Sequence, residues 1–145
     1  MKVDQGLSDI DQIDEGGHMS FKVLVVEGNE IHALSKEKIL TDAGYEVLRA
    51  RNGAEGVDKA ALEKPDLIIM DLRLSKIDGA NATKQIKHIK GLKEVPIIGT
   101  SEEISFEDEI NALDAGCCAY LRKPVIREDL LDLIDKMLVS KQKAG

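Results

Sequence analysis

The sequence predicts an α/β domain with a doubly wound, five-stranded parallel sheet and five helices. Three observations support this fold class. Short runs of branched apolar residues alternate with longer amphipathic segments, the connections are short, and two runs, Val23–Val26 and Leu67–Met70, are apolar at every position. Such runs are typical of strands buried on both faces, because the right-handed crossovers of a parallel sheet place helices on either side.

The elements follow one another as a strand and a helix, five times. The predicted strands are rich in branched residues and cover Phe21–Val26, Tyr45–Leu48, Asp66–Met70, Val95–Thr100 and Cys118–Leu121. The predicted helices have apolar residues at three-and-four spacing and cover Glu30–Ala43, Ala54–Glu63, Ala80–Lys90, Ile104–Ala115 and Arg127–Val139. Asn29 can cap the first helix, and Gly44 and Gly116 lie where helices usually end.

Length and composition limit the domain count and the class of function. The chain has 145 residues, which suits one domain, assigned to residues 20–141. Residues 1–19 are acidic and end in a Gly-Gly-His-Met junction, so they are interpreted as a flexible tail or an expression remnant. No apolar run approaches the roughly 20 residues of a membrane span, and no signal peptide is evident. We therefore expect a cytoplasmic protein without a membrane partner.

Two local features are interpreted as structural. Cys117 and Cys118 are adjacent, a spacing that suits neither a disulfide framework nor a metal site, so we expect two buried thiols, with a redox pair as the alternative. A basic run near the third helix is expected to be a solvated face, with a docking or nucleic-acid patch as the alternative; it consists of Lys84, Lys87, His88, Lys90 and Lys93. Because the net charge is −7, we expect no nucleic-acid partner.

Polar side chains stand where four predicted strands end. Glu27 follows the first strand and Asp71 the third, while Ser101 and Lys123 follow the fourth and fifth. Since the carboxyl ends of parallel strands share one edge of the sheet, these groups should lie together. Two close carboxylates need a proton or a cation, for which Mg²⁺ is the natural candidate. An aspartate in such a cluster can attack phosphorus, so a transferable phosphoryl group is the implied substrate.

From Phe21 to Val139 the sequence resembles the receiver domain of two-component response regulators. Five segments in order carry the resemblance: VLVVEGNE, DAGYEVLRARNGAEGVD, KPDLIIMDLRLSKIDG, VPIIGTS and DAGCCAYLRKP. The resemblance implies a flavodoxin-like fold with strand order 2-1-3-4-5. It also implies a stand-alone, chemotaxis-regulator-like protein that is not an enzyme, receives a phosphoryl group from a histidine kinase or a histidine phosphotransfer protein, and signals through protein contacts.

The resemblance implies a role for each residue at the sheet edge. Asp71 matches the phosphoacceptor, and Lys123, before a proline in a cis peptide, matches the lysine that contacts the acceptor or its phosphoryl group. Ser101 matches the switch hydroxyl, with Thr100 as the alternative if the register slips by one residue. Tyr120 matches the aromatic switch, or is a half-buried strand residue without that role.

The implied Mg²⁺ ligands are Glu27, Asp71 and the backbone carbonyl of Arg73. However, Gly28 stands where receivers usually have a second acid that binds the ion directly. Losing one anion weakens the attraction for a cation, so we expect weak Mg²⁺ binding or none. Glu30 is a poor substitute, since an acid on the first turn of a helix favours the helix dipole. Two further departures should loosen this edge, Ser75 in place of a proline and Gly99 in place of a bulky apolar residue.

The alternative function is a degenerate receiver that acts as a phosphorylation-independent or metal-altered adaptor. The chain ends soon after its last predicted helix, so output is expected through a surface formed by residues 104–115, 118–121 and 127–139. Two unrelated classes fit less well. A haloacid-dehalogenase-type phosphohydrolase needs a second aspartate where Arg73 stands, and a flavodoxin-like cofactor binder needs a Ser/Thr/Gly-rich phosphate loop after the first strand.

Overall fold

The computed structural model describes residues 21–73, 78–102 and 105–144, with side chains to residue 138. Within these ranges five parallel strands form one sheet of order β2-β1-β3-β4-β5, which confirms the predicted fold class and strand order. The strands are β1 (Lys22–Val26), β2 (Glu46–Ala50), β3 (Leu67–Asp71), β4 (Ile97–Ser101) and β5 (Ala119–Arg122). The helices are α1 (Glu30–Asp42), α2 (Gly53–Glu63), α3 (Gly79–Lys87), α4 (Phe106–Ala115) and α5 (Arg127–Ala144).

Side-chain caps start four of the helices. The Asn29 side chain accepts from the His32 N–H at 2.9 Å, as predicted, and equivalent caps precede α2, α3 and α4. A cap of this kind stabilises a helix by about 1 kcal/mol. Because Ser105 caps α4, that helix begins at Phe106, two residues after the predicted start. The predicted end of α3 was also wrong, since the helix ends at Lys87 and not at Lys90.

The sheet separates two apolar layers. β1 is buried at four of its five positions and β3 throughout, which confirms that both are central strands. Successive residues point to opposite faces, so Val23 and Val25 pack on the face of α1 and α5, whereas Leu24 and Val26 pack on the opposite face. The layer on the α1 side includes Leu40, Ile69, Ile98, Leu130 and Ile134.

The prediction of two buried thiols was wrong for one residue. Cys117 is buried, but Cys118 is exposed. The two residues lie just before β5, which is an edge strand with one neighbour, and their side chains alternate, so that only Cys117 faces the packed layer. Both thiols are free, and burial raises the pKa of Cys117 to about 11.

The strand order reverses between β1 and β3, because β1 pairs with both β2 and β3. Val26 of β1 lies opposite Met70 of β3, so the residues that follow them, Glu27 and Asp71, emerge side by side. A crevice at this point of an open α/β sheet is the usual place for a ligand. No helix in the described part of the chain is long and apolar enough to cross a membrane. Residues 1–19 lie outside the described ranges.

Candidate functional site

The strand ends bring the predicted residues together. Glu27, Asp71, Ser101 and Lys123 are all buried, with exposed fractions of 9% or less. Lys123 precedes Pro124 in a cis peptide, as predicted. The cleft above Glu27 and Asp71 has a volume of about 310 Å³. Glu27, Asp71 and Lys123 therefore form the walls of one cleft at the carboxyl edge of the sheet, and Ser101 lies beside it.

Asp71 is held by two contacts. Its Oδ1 accepts a hydrogen bond from the Arg73 backbone N–H at 3.0 Å, and its Oδ2 lies 3.4 Å from Lys123 Nζ. Burial raises the pKa of Asp71, the Arg73 N–H opposes this, and the charge of Glu27 raises the pKa further. Oδ1 is thus fixed by the backbone, and Oδ2 lies on the side of the lysine.

Glu27 is the most heavily bonded carboxylate of the cleft. Its Oε1 lies 2.6 Å from Lys36 Nζ and 2.9 Å from Lys123 Nζ, and its Oε2 accepts from the Asn29 N–H at 3.1 Å. Burial raises the pKa of Glu27, but the hydrogen bonds from the two ammonium groups outweigh it and lower the pKa from 4.5 to about 2. Glu27 is therefore a buried anion shared by two cations.

Sequence reasoning missed Lys36 and His32. Lys36 is 2% exposed, and besides Glu27 it reaches Thr100 Oγ1 at 3.4 Å. Burial lowers the pKa of Lys36, although the hydrogen bond to Glu27 opposes the shift. The 2.6 Å between the two side chains is the length of a charge-assisted hydrogen bond, so the pair is charged. His32 Nδ1 lies 3.4 Å from Lys123 Nζ at the mouth of the cleft. A signal was available, since Lys36 interrupts the buried stripe of α1 between Ala33 and Leu40.

Ser101 and Thr100 face opposite sides, as the predicted register requires. Thr100 lies on the side of Lys36, whereas Ser101 lines a second cleft with Tyr120. The Tyr120 hydroxyl is buried, with Ser101 as a polar neighbour. Burial raises the pKa of Tyr120 and the Ser101 hydroxyl opposes the rise. Ser101 and Tyr120 are thus neighbours in the second cleft, at the positions that the resemblance gives to the switch residues.

The other predicted departures have simple outcomes. Glu30 lies away from the cleft, because its Oε1 forms a 2.6 Å ion pair with Arg49. Ser75 lies outside the described residues. Gly99 leaves no gap in the sheet face, since a Cβ there would already meet Leu72 Cδ1 at 3.1 Å.

The residues of the cleft do not fit a Mg²⁺ ion. Such an ion takes one or two free carboxylates in octahedral geometry. Both oxygens of Glu27 already accept protein donors and Gly28 supplies no carboxylate, so the remaining acids that line the described cleft are Asp71, which is buried, and Glu102, which is exposed. In the described ranges, no three His, Cys, Asp or Glu side chains are placed to hold a metal ion. Glu27 Oε1 is shared by the ammonium groups of Lys36 and Lys123, and Glu27 Oε2 is held by the Asn29 N–H.

Comparison with known proteins agrees with this geometry. Residues 23–135 match the response regulator receiver domain family, and the chain belongs to this family. It is 33% identical over 120 residues to the polar-differentiation response regulator DivK of Brucella anthropi, covering 83% of this chain and 98% of that protein. A CheY-like receiver from Methanospirillum hungatei has a TM-score of 0.81 at 28% identity, covering 87% of this chain and 99% of that one.

A third relative bears on the metal. The receiver domain of a sensor histidine kinase from Pseudomonas aeruginosa, described with a magnesium ion coordinated in the active-site cleft, has a TM-score of 0.77 at 32% identity. It covers 81% of this chain and 97% of its own. Receiver domains generally bind Mg²⁺ and interact with histidine kinases or phosphotransfer proteins. The chain is thus a receiver domain of two-component signalling.

Proposed function

We propose that this receiver accepts a phosphoryl group on Asp71 from a histidine kinase or a histidine phosphotransfer protein and signals through protein contacts. One observation carries the proposal. The Asp71 carboxylate ends the central strand β3 at an open cleft, with one oxygen held by the Arg73 N–H and the other 3.4 Å from the Lys123 ammonium. This arrangement orients a nucleophile and places positive charge beside it.

The phosphoryl transfer from histidine to Asp71 needs no further reactant. An Asp71 oxygen forms a bond to phosphorus as the bond from phosphorus to the histidine nitrogen breaks, and that nitrogen keeps the electron pair. Lys123 stabilises negative charge on the phosphoryl oxygens. The protein is a signalling receiver and not an enzyme with turnover, because the phosphoryl group stays on its own side chain.

The departures at the cleft support weak Mg²⁺ affinity or none. Gly28 supplies no carboxylate, and the carboxylate of Glu27 is already paired with Lys36. The same departures favour a second candidate function, an adaptor that binds partners without phosphorylation or with altered metal dependence. That candidate requires only the fold and its surface.

Output is proposed through α4, β5 and α5. Three apolar side chains on one side of α4 are exposed, Phe106 at 78%, Ile110 at 40% and Leu113 at 49%. An exposed apolar stripe of this kind is typical of a protein-binding surface. The net charge of −7 argues against nucleic acid and anionic membranes as partners. We propose a cytoplasmic location, where histidine kinases deliver their phosphoryl groups.

The acceptor is tested with phosphoramidate, a small donor that bypasses the kinase. Wild type should gain one phosphoryl group by intact mass spectrometry, released by hydroxylamine as an acyl phosphate is, and Asp71→Asn should gain none. The reaction is run both with Mg²⁺ and with EDTA, so that a change in metal dependence does not hide transfer.

Asp78→Asn is the matched control, because Asp78 is an exposed acid near the cleft that only caps α3, and asparagine also caps. It should label like wild type. Equal labelling of Asp71→Asn and wild type would refute the acceptor assignment. No label on wild type in either condition would favour the adaptor.

A further inference from the structure

Lys36 is a cation built into the protein interior. It lies on the face of α1 that packs against the sheet, between the buried residues Ala33 and Leu40. Most lysines at such positions extend their ammonium group to water, but the Lys36 side chain is only 3% exposed. A buried ammonium is costly without a partner, and here the partner is Glu27 at 2.6 Å.

The charges of the cleft balance without a metal ion. Among the buried groups, Glu27 and Asp71 carry one negative charge each, and Lys36 and Lys123 one positive charge each. The exposed Arg73 and Glu102, which also line the cleft, add one charge of each sign. In the usual receiver pattern an additional acid stands at the position of Gly28, and one lysine faces three carboxylates. That pattern leaves two negative charges, which a divalent cation neutralises. In this chain Gly28 supplies no carboxylate and Lys36 adds a buried ammonium, which together amount to the same two units of charge.

The position of the ammonium matters as much as its charge. Lys36 Nζ and Lys123 Nζ contact the same oxygen of Glu27, at 2.6 Å and 2.9 Å. Lys36 therefore holds Glu27 from the side of α1. Lys123 bridges Glu27 to the reactive carboxylate of Asp71, whose Oδ2 lies 3.4 Å from Lys123 Nζ. Like charges repel, so two ammonium groups can stay this close only because the carboxylate lies between them.

We propose that Lys36 takes the place of the divalent cation, as a positioning residue that holds Glu27 and Lys123 so that Asp71 accepts a phosphoryl group without Mg²⁺. This inference rests on the proposed function of Asp71. The Asp71 oxygen bonds to phosphorus as the bond to the donor nitrogen breaks, and the nitrogen leaves with the electron pair. Lys123 meets the phosphoryl oxygens, and Lys36 acts through Glu27.

The test is the ratio of the phosphoramidate labelling rate in excess Mg²⁺ to the rate in EDTA, measured for each variant by itself. For wild type the ratio should stay within about twofold, since the required charge is resident. Lys36→Met keeps the length of the side chain and removes the charge; its rate in EDTA should fall about tenfold or more. Lys38→Met is the control, because Lys38 is an exposed lysine of the same helix, and it should behave as wild type.

Gly28→Asp combined with Lys36→Met restores the usual pattern of charges. A Cβ at Gly28 would lie 3.2 Å from the Arg51 carbonyl oxygen, so the change needs only a small shift. The labelling ratio of this double variant should rise about tenfold or more. Calorimetric titration with MgCl₂ gives a readout apart from transfer: the double variant should bind the ion, and wild type should give no binding heat.

The outcomes separate the two proposals. A wild-type ratio of about tenfold or more, or label only with Mg²⁺, overturns the role of Lys36 and leaves Asp71 as the acceptor. If Lys36 were merely structural, Lys36→Met would lower the labelling rate equally in Mg²⁺ and in EDTA. An unchanged ratio in Lys36→Met, together with a double variant whose rate does not respond to Mg²⁺, therefore also overturns the role of Lys36. No label in either condition overturns the acceptor and this inference together. The wild-type ratio needs no variant, so the test survives if Lys36→Met fails to fold.

Discussion

Two clefts meet at Arg73 and enclose about the same volume, about 310 Å³ each, but their polar groups differ in kind. The first contains Glu27, Asp71 and Lys123 and is organised by ion pairs. The second is lined by the neutral hydroxyls of Ser101 and Tyr120, and its charged groups, Asp78 and the Arg73–Asp108 ion pair, are exposed or partly exposed. Buried charge is thus concentrated on the side of β1, whereas the charges on the side of β4 and β5 are in contact with solvent.

The difference shows where sequence change is tolerated in this fold. On the first side Gly28 supplies no carboxylate and Lys36 brings a buried ammonium to Glu27, so the buried charges there are balanced. On the second side the buried polar groups are the hydroxyls of Ser101 and Tyr120. A buried charge must be compensated by another charge, whereas a neutral hydroxyl needs only a hydrogen-bond partner. Substitutions should therefore cost more in the first cleft than in the second.

The largest effect is expected for Lys123→Met, because Lys123 contacts both carboxylates. Removing one preorganised group that stabilises transferred charge slows a reaction by about 100-fold to 1,000-fold. We expect a loss of this size in the phosphoramidate labelling rate, measured by mass spectrometry over time. Arg122→Ala is the control, since that exposed neighbour lies on the last residue of β5. If the labelling rate of Lys123→Met fell by less than about threefold, the ammonium group of the first cleft would not stabilise the transferred phosphoryl group.

The next effect is on stability and depends on pH. The pKa of Glu27 is depressed to about 2 in the folded protein from 4.5, so its contribution is fully present above pH 4.5 and is lost as the pH falls toward 2. Glu27→Gln should therefore lower the free energy of unfolding at pH 7 by on the order of 3 kcal/mol. The difference from wild type should shrink between pH 4.5 and 2, as measured by urea unfolding.

Asp71→Asn should change the free energy of unfolding in the opposite direction to Glu27→Gln, although both residues belong to the same cluster. The pKa of Asp71 is raised, so its ionised form destabilises the folded protein at neutral pH, and this penalty disappears as the pH falls through the raised pKa. Asp71→Asn should thus be more stable than wild type at pH 7 and similar to it below pH 3.8. If both variants lost stability equally at neutral pH, the assignment of Glu27 as the paired anion would be wrong.

The smallest effect is expected for Tyr120→Phe in the second cleft. Only a buried hydroxyl beside Ser101 is removed, which changes stability by about 1 kcal/mol or less. The labelling rate should stay within about twofold of wild type, because the hydroxyl lies in the second cleft and not beside Asp71. Slowing comparable to that of Lys123→Met would show that the two clefts are coupled in the transfer step.

Local sequence was sufficient for the order of the elements. Alternating apolar runs predicted β1 and β3 as central strands, and Asn29 predicted the start of α1, because hydrophobic periodicity and helix caps act over a few residues. The boundaries of α3 and α4 were less well predicted, since the capping residues Ser105 and His88 compete with apolar periodicity there. Cys118 was assigned to the core because a pair of adjacent thiols does not reveal that β5 is an edge strand.

The sequence by itself determined the fold class and placed Glu27, Asp71, Ser101 and Lys123 at one edge, because the ends of parallel strands must meet there. Only the tertiary structure decided what neutralises Glu27. Lys36 belongs to a helix whose rotation against β1 is set by packing, and its second contact, Thr100, is 64 residues away along the chain. A lysine on an apolar stripe signals a buried partner, but the identity of that partner depends on which strand end the helix covers.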